Sequence, residues 1–137
     1  CSSDLIDEQP NEFPRVRESL VASPHRYGYC ASPRHDSRAG WPTLKHDFEA
    51  GTRAVFEHGP GRAAGEPVFV PREGGRAEDD GWLVTFVHDL GAGATELVLL
   101  DAADFGRGTV ARVRLPERVP FGFHGNWVAD REFATRD

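Results

Sequence analysis

Apolar and polar positions alternate along this chain in short runs, and no stretch carries the repeating i, i+3, i+4 spacing of a long amphipathic helix. From Thr43 to Phe48, the side chains of Leu44, His46 and Phe48 fall on one face and those of Thr43, Lys45 and Asp47 on the other, the period of a half-buried strand. Glu49-Ala50-Gly51 reads as a turn, and Thr52–Glu57 returns as the second arm of a hairpin. Gly81–His88 is apolar on both faces and predicts a fully buried strand. Val110–Leu115 sets Ala111, Val113 and Leu115 against Arg112 and Arg114, a strand with one face in water. Shorter strands are predicted over 12–16, where Pro14 confines the segment to an edge or a bulge, and over 26–31, 68–70 and 96–100. A last strand is predicted over 121–128 and a single helical turn over 102–106. The Gly-rich stretch 58–65 and the charged stretch 71–80 read as loops, and 1–11 and 129–137 as polar tails.

Eight or nine short strands without a long helix predict an all-β antiparallel fold: a sandwich, a barrel or propeller blades. The four predicted strands between 82 and 128 amount to one blade, although no WD or kelch repeat is present. The 15 glycines and 10 prolines suit such a turn-rich fold, and 137 residues suit one domain. With 16 Lys and Arg against 22 Asp and Glu the net charge is −6, which argues against nucleic acid as a partner. No apolar run approaches the length of a transmembrane helix. Cys1 and Cys30 make neither a disulfide framework nor a zinc knuckle, so two free thiols in a reducing compartment are expected. The chain contains no Met and starts at Cys1, from which it is expected to be a processed or trimmed piece of a longer polypeptide.

None of the six histidines (His25, His35, His46, His58, His88, His124) forms a helix-borne metal pair, and no P-loop, nucleophile elbow or Gly-rich dinucleotide motif is present. His124 has the most unusual surroundings, Phe121-Gly122-Phe123-His124-Gly125-Asn126-Trp127. On a strand the two Phe rings would anchor one face in the core. The flanking glycines would leave room around the imidazole. That suits a metal or catalytic site, and equally a buried histidine bonded to a carbonyl. Glu12 and Glu66 sit in apolar settings, where a carboxylate is costly unless paired. Each is either a solvent-facing strand end or the acceptor for the free N–H of a metal-bound imidazole.

Six short motifs occur in order: Glu12-Phe13-Pro14-Arg15, His25-Arg26-Tyr27-Gly28-Tyr29, Gly65-Glu66-Pro67-Val68-Phe69-Val70-Pro71-Arg72, Glu78-Asp79-Asp80-Gly81-Trp82-Leu83, Glu96-Leu97-Val98-Leu99-Leu100-Asp101-Ala102 and Phe121-Gly122-Phe123-His124-Gly125. Each is weak alone. Together, from about residue 10 to 128, they resemble the C-terminal part of the carotenoid cleavage oxygenase family, which includes apocarotenoid and lignostilbene oxygenases and the retinal-pigment-epithelium isomerase. The resemblance implies that residues 1–137 are the C-terminal blades of one seven-bladed β-propeller domain. It implies a non-haem Fe(II) held by four histidines backed by three glutamates, a set unlike the common two-His-one-carboxylate triad. It matches His124 to the last iron ligand and Glu12 and Glu66 to two of the glutamates, with Glu66 bonding His124. The implied reaction is cleavage of a conjugated C=C bond of a carotenoid, apocarotenoid or stilbene-like substrate by O₂, giving two carbonyl products.

The other iron ligands have no matching motif here, so the chain by itself is expected to bind iron weakly and not to turn over. The implied partners are a lipophilic alkene, O₂ and the remaining N-terminal blades. The implied location is cytoplasmic with peripheral membrane contact of the full-length enzyme, though no apolar patch for that contact is evident in these residues. The alternative is a non-catalytic, propeller-derived binding or interaction module. An isolated arc of blades exposes faces and strand edges that neighbours should cover. The 137-residue chain expressed alone should therefore be poorly soluble, and a soluble, cooperatively melting monomer would contradict that expectation.

Overall fold

The computed structural model describes residues 7–130. Among these, nine strands form two antiparallel sheets. The first runs in chain order through β1 (Glu12–Arg15), β2 (Tyr27–Ala31), β3 (Thr43–Asp47) and β4 (Thr52–Phe56). The second contains β5 (Arg62–Ala64), β6 (Val68–Pro71), β7 (Gly81–Asp89), β8 (Ala94–Asp101) and β9 (Thr109–Arg114). Here β5 and β6 share one edge of β7, so the sheet is a four-row meander whose first row is broken. Three 3-10 turns complete the described elements. The last, Phe105–Arg107, lies at the end of the helical turn predicted over 102–106 and is capped by the Asp104 carboxylate accepting from Gly106 N. Among the described residues no helix is long and apolar enough to cross a membrane.

The structure departs from the sequence reading at four places. β7 is buried on one face only, since Phe86 on the other is 42% exposed, and β9 leaves Val113 of its apolar face 49% exposed because no further layer covers it among the described residues. No strand occupies 121–128: that stretch is irregular, and Phe123 is 77% exposed instead of anchoring a core face. Gly122 and Gly125 bring no side chain to pack and so weaken a strand there. In turn β5 was hidden in a stretch read as a Gly-rich loop, because three residues are too few to show a period. The second meander therefore begins at Arg62 and ends at Arg114, not at residue 128. Trp41 and Ala63 form a parallel bridge, so β5 is held from both sides and ties the two sheets together. The turn entering Trp41 needs Gly40, whose φ is +76° and whose missing Cβ would collide with the Gly59 carbonyl oxygen.

The core lies between the sheets. Tyr29 of β2 stacks on Phe69 of β6 at 5.8 Å and 12°, surrounded by Leu83, Val87, Val98 and Leu100. Lys45, the single lysine, belongs to the face of β3 that alternation assigns to water, yet it is buried because the second sheet covers that face. Its ammonium donates to Asp79 Oδ2 at 2.6 Å and Ala102 O at 2.7 Å, and lies 4.2 Å from the centre of the Tyr27 ring. Next to Asp79, the Glu78 carboxylate accepts from the backbone N–H groups of Arg26 and Tyr27. Of the two cysteines, Cys1 lies outside the described residues. Cys30 is a free, buried thiol that burial pushes up to about 12, and it donates to Asn11 Oδ1.

His58, just beyond β4, is buried with Nε2 against Thr43 Oγ1 at 2.9 Å, and its Nδ1 meets no partner among the described residues. Burial, helped by the charges of Arg112 and Arg62, pushes it down to about 4. The unfolded chain, titrating near 6.5, therefore binds the extra proton first, and stability drains away as pH falls from about 6.5 to about 4. His46 and His88, lowered by burial as well, act with the same sign. In urea unfolding at pH 7 and pH 4.5, His58→Gln should narrow the stability gap by on the order of 2 kcal/mol relative to the parent. An unchanged gap would mean that His58 does not titrate this way.

Candidate metal centre

After β9 the chain becomes an arm, residues 115–128, with no strand pairing of its own. Its position comes from side chains. Thr95 holds its start: Leu115 N donates to Thr95 O at 3.1 Å, and Val119 N to Thr95 Oγ1 at 3.2 Å. Further along, the Phe121 ring packs on the imidazole of His88 at 4.1 Å and near Trp41 at 6.2 Å. The arm then reaches the break between β5 and β6.

That break is a β-bulge. Ala64 is opposite Val87 and Val68 is opposite Val84, so Gly65, Glu66 and Pro67 face only Thr85 and Phe86. One extra residue lifts Glu66 out of the ladder and re-aims its side chain. Pro67 fits because it has no ladder N–H to lose. Gly65 N donates to Phe86 O at 2.8 Å and Thr85 Oγ1 to Gly65 O at 3.0 Å, which locks the bulge. The Glu66 side chain is 6% exposed, and its oxygens are met by donors from three directions. Gly125 N donates to Oε2 at 2.7 Å, His124 Nδ1 lies 3.0 Å from Oε1, and Arg15 Nη1 donates to Oε1 at 3.4 Å.

An ionised carboxylate can only accept, so a neutral His124 beside it carries its proton on Nδ1 and its lone pair on Nε2. The imidazole is 75% exposed, with its ring edge-on to Phe13 at 6.2 Å and 90°. Phe13 has φ +56° within the irregular pairing of β1, a costly conformation for a bulky residue. The ring stands at a cleft of about 550 Å³ between the arm and the bulge, whose lining includes Trp41, Phe86, Phe121, Phe123 and Trp127. Phe121, Phe123, Trp127 and Val128 are exposed along the arm, an apolar surface that the sequence did not reveal.

The structure thus joins His124 to Glu66 and leaves Glu12 apart. His124 is neither buried nor bonded to a carbonyl, and Glu66 is no solvent-facing strand end. Glu12 is exposed on β1, with no hydrogen bond to its carboxylate among the described residues, though its neighbour Phe13 touches the His124 ring. His25 and His35 are exposed, and His46, His58 and His88 are buried in the sheets. The imidazole with a fixed Nδ1–H and a free Nε2 fits a metal ligand. It is one ligand only: the described residues contain no group of three His, Cys, Asp or Glu able to hold a metal ion. Arg15, Thr95 and Asn126 were not singled out from the sequence, although Arg15 and Asn126 stand within or beside the motifs around Glu12 and His124.

Two adjacent four-row meanders, with a carboxylate-held imidazole beside a bulge in the second, define an arc of a β-propeller. The chain belongs to the family described as retinal pigment epithelial membrane protein, whose model matches residues 2–129. It is 41% identical over 120 residues to the apocarotenoid-15,15'-oxygenase of Synechocystis sp., covering 85% of this chain and 24% of that protein. It is 40% identical over 133 residues to a carotenoid cleavage oxygenase of Mycobacterium tuberculosis, covering 93% and 26%. The solved structure of a cobalt-substituted form of the Synechocystis oxygenase superposes with a TM-score of 0.83 at 38% identity, over 91% of this chain and 26% of that one. The chain thus spans about a quarter of the length of these relatives. The fold expectation, all-β blades forming part of a propeller, holds.

Glutamine at position 66 would offer one accepting oxygen and one donating NH₂, so either Gly125 N–H or His124 Nδ1–H would face a donor. Glu66→Gln should therefore speed hydrogen exchange across residues 121–128 by about tenfold or more, while β7 and β8 keep their protection. Equal exchange of the arm in both proteins would show that Glu66 does not hold it.

Proposed function

We propose that this chain is the C-terminal part, within a single propeller domain, of a non-haem Fe(II) dioxygenase that cleaves a conjugated C=C bond of a carotenoid, apocarotenoid or stilbene-like substrate. One O₂ is consumed, each former alkene carbon gains one oxygen atom, and two carbonyl products leave. The observation that carries this reading is the His124–Glu66 pair: a buried carboxylate on a bulge fixes Nδ1–H and leaves Nε2 open at an aromatic cleft. The relatives' names, oxygenases of apocarotenoids and carotenoids, supply the reaction class.

In this reading His124 is one iron ligand, and the others come from the remaining blades of the longer polypeptide. Iron, when bound, supplies the redox chemistry that O₂ needs to react with an alkene. The chain's own residues do the rest. Glu66 orients the imidazole and raises its basicity. The arm and the bulge wall the cleft with aromatic surface suited to a long apolar alkene. Glu12, exposed on β1, would accept the N–H of an imidazole arriving from a neighbouring blade. The protein is proposed to work in the cytoplasm, meeting its lipophilic substrate at a membrane surface.

The native polypeptide, purified anaerobically, should carry stoichiometric iron, and ¹⁸O₂ should label both carbonyl products. His124→Ala should carry no iron and yield no product. Iron content unchanged by His124→Ala would refute the ligand assignment. A native polypeptide near 15.1 kDa that holds no iron would instead favour the non-catalytic module.

A further inference from the structure

Arg15 joins three stretches of chain that share no backbone ladder at this point. Nη1 donates to Glu66 Oε1 at 3.4 Å on the bulge and to Gly125 O at 3.3 Å on the arm, and Nη2 donates to Asn126 Oδ1 at 3.0 Å. Nη2 also reaches Glu18 Oε2 at 3.4 Å, beside β1. The same Asn126 oxygen accepts Trp127 N at 2.9 Å, so the amide side chain is itself fixed. The Arg15 side chain is largely buried in these contacts. A planar guanidinium can serve several acceptors in one geometry, whereas an ammonium acts as a point charge.

Two consequences follow from that placement. First, Gly125 and Asn126 are the two residues after His124. Their carbonyl and amide are held by Arg15 while the Gly125 N–H is held by Glu66. The peptide units following the imidazole are thereby fixed from both sides. Second, Arg15 and His124 share one oxygen of Glu66, Oε1. The guanidinium draws on the electron density that the imidazole N–H would otherwise receive, and it gives the buried carboxylate a countercharge.

From this geometry we infer that Arg15 is a positioning residue for His124: through Glu66, Gly125 and Asn126 it sets the direction of Nε2 and the strength of the carboxylate–imidazole hydrogen bond. The inference rests on the reading of His124 as a metal ligand.

The test uses the metal-free native polypeptide titrated with Co(II), with the ligand-field spectrum, the dissociation constant and hydrogen exchange of residues 121–128 all recorded. Arg15→Gln should weaken Co(II) binding by about tenfold, shift the spectrum and raise exchange of the arm. Arg15→Lys, which keeps the charge and loses the fork, should not restore the parent spectrum. Asn126→Ala, a change on the exposed arm that leaves β1 untouched, should move all three readouts in the same direction by a smaller amount. A purely structural role for Arg15 predicts a lower melting temperature with the parent spectrum and affinity, and that result overturns the inference. So does a silent Asn126→Ala beside a defective Arg15→Gln. His124→Ala separates the two levels: if it retains Co(II) binding, the ligand reading itself fails. If it abolishes binding while Arg15→Gln binds as the parent does, only the role of Arg15 fails.

Discussion

A carboxylate taken out of water has to be surrounded by donors, and Glu66 finds none within its own sheet. Its donors come from β1 of the first sheet and from the arm that follows the last strand. This requirement organises the region. The arm has no ladder to place it, and β1 is a short, irregular edge with a left-handed Phe13. Pairing with β2 and the Thr95 and His88 contacts bring them near, and the carboxylate ties them to each other. The carboxylate, in turn, is off the ladder only because the bulge puts it there. The same contacts that satisfy Glu66 fix the tautomer of His124, so stability and the presentation of Nε2 come from one set of hydrogen bonds.

The two sheets are joined by interactions of a different kind. Lys45 enters from β3 and ends on Asp79 and Ala102, Glu78 receives two backbone N–H groups, and Tyr29 stacks on Phe69. These contacts span the width of the interface and give the second sheet a fixed position under the first. Without that rigid frame, Arg15 and Glu66, 51 residues apart in the chain, would have no reason to meet. The acidic run Glu78-Asp79-Asp80 thus has a structural use in each member, since Asp80 pairs with Arg72.

The sequence made the regular parts legible. Strands such as β3, β4 and β7 announce themselves through alternation or through apolar character on both faces, and they fold where expected. The irregular parts were not legible for physical reasons. A three-residue strand between glycines carries no period, which hid β5. Alternation could not show that a second sheet covers the polar face of β3, which hid the burial of Lys45. Phe121–Val128 has strand-like composition but pairs with no strand edge among the described residues. At the site, Glu66 and His124 came from matched motifs, and the structure places the Glu66 carboxylate 3.0 Å from His124 Nδ1. Arg15 escaped notice because its role depends on contacts more than a hundred residues away along the chain.

The bulge between β5 and β6 also says something about how such a site is gained and lost. Removing one residue from Gly65-Glu66-Pro67 would give β7 an even count on both sides, two against two, and the broken row would heal into one continuous strand. The sheet would become more regular, and its side chains beyond the deletion would keep their faces. The carboxylate, however, would return to the plane of the ladder and lose the arm. Regularity of the sheet and the hold on the arm thus pull in opposite directions at this one extra residue.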